Sequence, residues 1–390
     1  MNEVLVKKIP SENNSLAIRA LNHFKNNTTD QAKSTMRIPI EAYRDPIRFA
    51  NERERIFKQL PQGIALSIEL PEQGDFVTRT VLETPVLLTR NLEGKVNAFL
   101  NICRHRGAIL CNQEQGQKRM FVCPYHSWSY DIQGRLLGIN GPQSFGEVDK
   151  DNSGLTPLNC TEKHGIIWIC LDPSIDFDID KWLGDFGNRL DSLELDNWHL
   201  FETRELEGPG WKAAMDGYLE VYHHDTVHGK TVGQHTIGNL LVHDTYGPHQ
   251  RLTFGRKNIS ELEDLKETNF EGEKFIRLIH SVFPNLSISG ILGEHCLVSQ
   301  VYPTKDFDKT ITRQSLLCSK KPENANEQKS AETFSKMTLQ AVRDEDYAVV
   351  QTIQDGLKTN ANSHFTFGRN EKGLQHYHQW VERFMKHEKL

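Results

Sequence analysis

Two short pairs of metal-binding side chains constrain this chain more than any other feature. Cys103 and His105 form a Cys-x-His pair, Cys123 and His126 a Cys-x-x-His pair, and seventeen residues separate the pairs. Thiolate is a soft ligand suited to zinc, copper(I) or iron–sulfur, whereas imidazole suits zinc or iron. Zinc fingers usually keep their two Cys together and their two His together. Here each pair is mixed, which suits a [2Fe–2S] cluster with one iron on two Cys and the other on two His. A structural zinc site is the competing reading of the same four residues. Either centre requires two loops to meet over one point.

The 390 residues suit two domains. With 37% hydrophobic and 25% charged residues, the chain can bury substantial cores. A net charge of −6 argues against a general nucleic-acid binder. The start, Met1–Pro10, lacks the apolar core and cleavage site of a secretory signal, and no apolar run is long enough for a membrane span. Seven cysteines without disulfide spacing suit a reducing cytoplasm, which is the expected location.

Ser15–Phe24 carries apolar residues at near-helical spacing, and Asp45-Pro46 predicts a capped helix running to Phe57. From Gly63 the period changes to two. Ile64–Ile68, Phe76–Val81, Val86–Arg90, Arg119–Cys123 and Gly165–Leu171 are predicted strands, and Asn91–Gly94 is a turn. A Pro- and Asp-rich stretch, Asp172–Asp178, marks a boundary. Beyond it helices mix with strands such as Asn285–Ser289 and Cys296–Tyr302, residues 320–329 are a solvated loop, and a last long helix covers about 331–358. The expected division is an N-terminal extension over 1–40 packed on the C-terminal domain, an all-β domain over 41–172, and an α+β domain over 173–390.

A second metal site is signalled around Trp211–His228. On one helix Asp216, Glu220 and His223 would form a polar stripe, with His224 and His228 close by. Two imidazoles and a carboxylate on one face of an iron leave positions open for oxygen and substrate. Ideal helix geometry favours His224 with His228, whereas His223 meets His228 only if the helix ends or bulges between them. The carboxylate is expected from the last long helix. Asp346 shares an apolar stripe with Val342, Val350 and Ile353, while Asp344 lies about 200° away. A carboxylate on a buried face needs a partner or a metal.

Asn101–Ala108 and Cys123–Trp128 closely resemble the cluster loops of Rieske non-haem iron oxygenases, and the chain resembles their α subunit, often called aromatic-ring-hydroxylating. The resemblance also covers Glu220-x-x-His223-x4-His228 and the run Glu345–Leu357, where the family more often has Glu at the position of Gln351. It implies a β-sandwich Rieske domain, then a helix-grip catalytic domain with an antiparallel sheet around a long helix. It assigns Cys103, His105, Cys123 and His126 to the Rieske cluster, and His223, His228 and Asp346 to a mononuclear Fe(II). Glu220 is implied as an electron bridge between His223 and His126 of a neighbouring subunit in a head-to-tail homotrimer. Many relatives have Asp where Glu220 stands and Asn where Gly217 stands; the Glu resembles the group that oxidises quaternary amines. The implied activity uses O2 and electrons from NAD(P)H, delivered by a reductase or ferredoxin, to hydroxylate or dihydroxylate a small, aromatic substrate. The alternatives are monooxygenation of a quaternary amine, N- or O-demethylation, and an electron-transfer protein without catalysis. Neither nucleic acid nor membrane is an expected partner. Arg104, Arg106, Lys118 and Arg119 form a basic cluster that could steer an acidic electron donor, Trp128 is expected to pack over the cluster loop, and 229–250 with 285–302 are expected to line the substrate pocket.

Overall fold

The period-two stretch after Gly63 forms sheets whose two faces serve different cores. The computed structural model describes residues 12–266, 270–290 and 293–386. A five-stranded antiparallel sheet runs in the order Pro157–Leu158, Val96–Leu100, Thr84–Arg90, Asp75–Val81, Gln115–Gln117. Successive side chains of a strand point to opposite faces. Phe76, Leu87 and Phe99 accordingly enter a small core with Leu110, Phe121, Trp128 and Tyr130. Val77, Val86, Leu88 and Ala98 turn the other way, into the main core. Two three-stranded sheets complete this β-rich domain, one from Met120–Val122, Ser129–Asp131 and Leu136–Gly138, the other from Cys160–Lys163, Ile166–Ile169 and Gln62–Leu66.

The second half is built on a seven-stranded antiparallel sheet. Its order is His199–Gly208, Thr310–Cys318, His295–Pro303, Leu286–Ser289, Ile276–Val282, His249–Arg256, Thr236–Tyr246. Helix Trp211–Tyr218 and helix Ala325–Leu339 both lie against strand His295–Pro303. The latter continues through wide π-type turns over Gln340–Tyr347 into helix Ala348–Gly356. This long helix begins earlier than the sequence suggests, because Asn324 accepts bonds from the Asn326 and Glu327 amides and caps it. The expected loop at 320–329 is therefore half helix. The predicted cap at Asp45 is present, with its carboxylate accepting from the Ile47 and Arg48 amides.

The two halves share one continuous core that includes Ile64, Trp168, Leu286 and Val298. A buried ion pair between Glu52 and Lys212 ties helix Pro46–Glu52 to helix Trp211–Tyr218, and the Trp211 indole donates to the same carboxylate at 3.2 Å. Helix Glu12–Asn26 buries Leu16, Ala17 and Ala20 against Leu240, Val242 and Leu278 of the large sheet. Strand Met36–Pro39 pairs with His364–Phe367 near the other end of the chain. Residues 1–11 of the expected extension lie outside the described residues. No helix among the described residues is long and apolar enough to cross a membrane.

Candidate metal centres

The two Cys/His loops repeat one backbone design. The Cys103 amide donates to Ala108 O and the Gly107 amide returns to Cys103 O; the Cys123 amide donates to Trp128 O and the Ser127 amide returns to Cys123 O. Each turn needs a left-handed residue four places after its Cys, supplied by Gly107 at φ 76° and Ser127 at φ 59°. Gly107 meets this without strain, whereas Ser127 holds a conformation that a side chain disfavours. Both Cys are buried and free. The His105 and His126 rings, 4.7 Å apart between centroids, sit nearer the surface. Trp128 stacks on His105 at 4.9 Å with planes 7° apart.

This donor set fits a [2Fe–2S] cluster. The thiols converge on the buried side and the imidazoles on the outer side, in the two-and-two division that such a cluster needs. His105 Nδ1 is buried without a hydrogen-bond partner. Burial, with Cys123 beside it, raises the Cys103 thiol, and a bound cation would favour its thiolate. The Tyr130 hydroxyl lies 3.4 Å from Cys103 Sγ and accepts from the Arg104 amide at 3.0 Å. Of the four basic residues noted above, Lys118 lies over the rings of Phe76 and Phe121, Arg104 bonds Thr156, and Arg106 bonds the Tyr125 hydroxyl.

The second site departs from a single helix. Helix Trp211–Tyr218 stops, Glu220 and Val221 are irregular, and a short helix, His224–Val227, follows with His223 and His228 at its two ends. The expected stripe of Asp216, Glu220 and His223 is thereby broken. Asp216 turns away, accepting from Tyr43 Oη at 2.6 Å and pairing with His378 Nε2 at 2.8 Å. Glu220 stays, with one carboxylate oxygen on His223 Nδ1 and the other on the Tyr222 and His223 amides.

His223 Nε2 and His228 Nε2 face each other at 3.2 Å. Asp346 Oδ1 lies 3.5 Å from the first and 3.0 Å from the second. Each outward-facing Nδ1 meets a carboxylate: Glu220 for His223, and Glu345 at 2.8 Å for His228. Carboxylates bound to Nδ1–H leave both Nε2 lone pairs free for a metal, the usual setting of a ligating histidine. The residues present thus fit a mononuclear iron. Burial opposes a proton on His228, but Asp346 and Glu345 outweigh it and raise its pKa. Glu345 also accepts from Thr231; together with His228 this overcomes burial and lowers the Glu345 pKa. His224 lies within 4.8 Å of both neighbours, but faces Thr236 Oγ1 at 3.4 Å. Burial, with His223 and His228 close by, holds its pKa far below the ordinary value.

Asp346 sits in the π-type segment, a widening frequent at functional sites. Asp344 instead points outward, paired with Arg343. The apolar stripe that led to Asp346 is only partly covered: Val342 is buried, but Ile353 is exposed. The role of Glu345 goes unnoticed at the level of sequence, because an acid beside Asp346 signals nothing until the fold brings Thr231 and His228 to it.

His223 and Asp346 stand in the wall between two cavities. One, of about 450 Å³, opens past Glu220 toward Val349 and Ile353. The other, of about 460 Å³, contains His228 and residues from both expected pocket segments, including His235 and Leu297. Phe254, Arg256, Arg277 and Phe334 also line it and were not foreseen.

Residues 61–150 match the family model of the Rieske [2Fe-2S] domain, and 195–387 that of the ring hydroxylating alpha subunit catalytic domain. The chain is 33% identical over 196 residues to the glycine betaine monooxygenase oxygenase subunit of Chromohalobacter salexigens, a match covering 49% of this chain and 43% of that protein. It therefore spans less than half the length of that relative. With the carnitine monooxygenase oxygenase subunit of Escherichia coli K12 it shares 26% identity over 365 residues, 90% of this chain and 94% of that one. The fold matches a quaternary ammonium Rieske monooxygenase in complex with L-carnitine, with a TM-score of 0.77 and 21% identity, covering 97% of this chain and 100% of that one. Paired Cys/His loops, a His–His–Asp convergence on a broken helix, and both domain matches lead to one conclusion. The chain belongs to the α subunits of Rieske non-haem iron oxygenases, which carry a [2Fe–2S] Rieske cluster and a mononuclear iron.

Proposed function

We propose that this chain is the oxygenase component of a Rieske system that oxidises a quaternary amine, using O2 and electrons passed from NAD(P)H by a reductase or ferredoxin. The observation that carries it is the meeting of His223, His228 and Asp346 at the wall of a cavity, with a carboxylate behind each imidazole. The relatives reported above act on glycine betaine and carnitine, which favours the quaternary amine over the aromatic substrate first expected.

In this reading Cys103, His105, Cys123 and His126 hold the cluster, and His223, His228 and Asp346 hold the iron. When bound, these groups supply one-electron storage and O2 activation. Glu220 and Glu345 fix the two imidazoles by accepting their Nδ1 protons. Glu220 also joins His223 to His126 of a neighbouring copy in a head-to-tail trimer, an interface that closes into a ring. Exposed apolar side chains support that contact: Tyr125, Val122 and Phe145 around the cluster loops, and Tyr222, Val349 and Ile353 around Glu220. A structure of the carnitine-binding relative is described as giving insight into inter-subunit electron transfer. We take 41–172 as the Rieske domain, 173–390 as the catalytic domain and 1–40 as an extension whose described part, from residue 12, packs on the latter. Seven free cysteines support a cytoplasmic location.

The test is turnover by the purified holoprotein with a reductase, NADH and O2. Carnitine, glycine betaine, choline and naphthalene are offered separately, and oxidised product is read by mass spectrometry. Product from a quaternary amine is the expected result. Product from naphthalene alone would return the function to aromatic hydroxylation.

A further inference from the structure

Two arginines in the second cavity have no acidic partner among the described residues. Strands His249–Arg256 and Ile276–Val282 are antiparallel neighbours, with Phe254 directly opposite Arg277. Arg256 lies two residues past Phe254, so alternation puts all three on one face. That face lines the cavity that also holds His223, His228 and Asp346. Arg256 donates Nη1 to Lys274 O at 2.9 Å, and Arg277 donates Nη1 to Glu273 O at 3.1 Å and Ile276 O at 2.7 Å. Their remaining N–H groups meet no acceptor among the described residues. Glu294 lines the same cavity and pairs with neither.

Arg256 and Arg277 are half-buried, whereas fully buried arginines of this chain find acidic partners. Arg79 pairs with Glu69, Arg90 with Glu162, and Arg251 with Asp244. Two like charges on one wall beside Phe254 and Phe334, unpaired among the described residues, repel each other and attract an anion. Burial, and then the charge of Arg256, pull Arg277 down to about 10. A planar guanidinium fork matches a carboxylate and gives geometry as well as charge.

We propose that Arg256 and Arg277 bind a carboxylate of the substrate, so that this chain acts on a betaine, a quaternary ammonium carboxylate, and not on an ammonium alcohol. The inference rests on the reading of this cavity as the substrate's. The carboxylate occupies the arginine end, which leaves the ammonium end toward His223, His228 and Asp346.

The experiment is calorimetric binding to the anaerobic holoprotein without reductant, so that no turnover is needed. Carnitine, glycine betaine, choline and benzoate are titrated into wild type, Arg256→Gln and Arg277→Gln. The expected result is saturable binding of carnitine or glycine betaine, with choline weaker by about tenfold or more. Either substitution should weaken the carboxylates by a similar factor and leave choline unchanged. Choline binding as tightly as the betaines, or carboxylate binding indifferent to both substitutions, would overturn the inference while leaving a quaternary-amine oxygenase intact. Arginine-dependent binding of benzoate without the betaines would overturn both it and the function proposed above. Failure of every carboxylate to bind wild type would overturn it as well. The comparison of choline with glycine betaine in wild type decides the matter even if a variant does not fold.

Discussion

The two metal centres of this chain are built in opposite ways. The cluster loops are local: each is one turn closed by its own backbone, and each places its Cys and His within a few residues. The mononuclear site is assembled from afar. His228 and its partner Glu345 are 117 residues apart in sequence, and the two imidazoles converge across the ends of the short helix His224–Val227. A local site can keep its shape while the rest of the molecule varies. A distributed site depends on the whole catalytic fold and is correspondingly adjustable.

Removing Asp346 tests the contrast most severely. Asp346→Ala should lower iron by one atom per chain, leave acid-labile sulfide and the visible cluster spectrum unchanged, and abolish product formation. Retained iron and activity in that variant would move the carboxylate ligand elsewhere. Glu220→Gln probes the link between the regions. Both metals should remain, while reoxidation of the reduced cluster by O2 and substrate, followed by stopped-flow absorbance, slows by orders of magnitude. An unchanged rate removes Glu220 from the electron route.

Smaller effects are expected behind the ligands. Glu345→Gln should weaken iron binding by about 10–100-fold, read by chelator competition, with the cluster untouched. Tyr130→Phe acts on the other region alone. Losing its hydroxyl contact to Cys103 should lower the cluster potential by about 40 mV, the equivalent of a hydrogen bond worth about 1 kcal/mol. A voltammogram that does not move would show that Tyr130 only orders the Arg104 amide.

The same contrast explains what the sequence discloses. The four residues proposed to hold the cluster, and the β-rich fold around them, stand out in the sequence because spacing and period two are short-range signals. The capped helix at Asp45 is legible for the same reason. His223, His228 and Asp346 can be singled out from the chain, but spacing cannot choose between His223 and His224, because the choice turns on where a helix breaks. Spacing does not encode that break either, and Asp216, in the helix before it, bonds Tyr43 and His378 instead of joining the metal stripe. Glu345, Arg256 and Arg277 gain meaning only from strands and helices brought together across the fold.

The pairing of Met36–Pro39 with His364–Phe367 bears on how the molecule is made. Chains emerge from the ribosome at roughly 5–20 residues per second, so an early strand whose partner comes near the end waits roughly tens of seconds for it. The β-rich domain contains all its own strand pairings and can form them while synthesis continues. The strand pair that joins the start of the chain to the catalytic half cannot form until Phe367 is made. A nascent chain would therefore complete the strand pairings of its β-rich domain first and this pairing last.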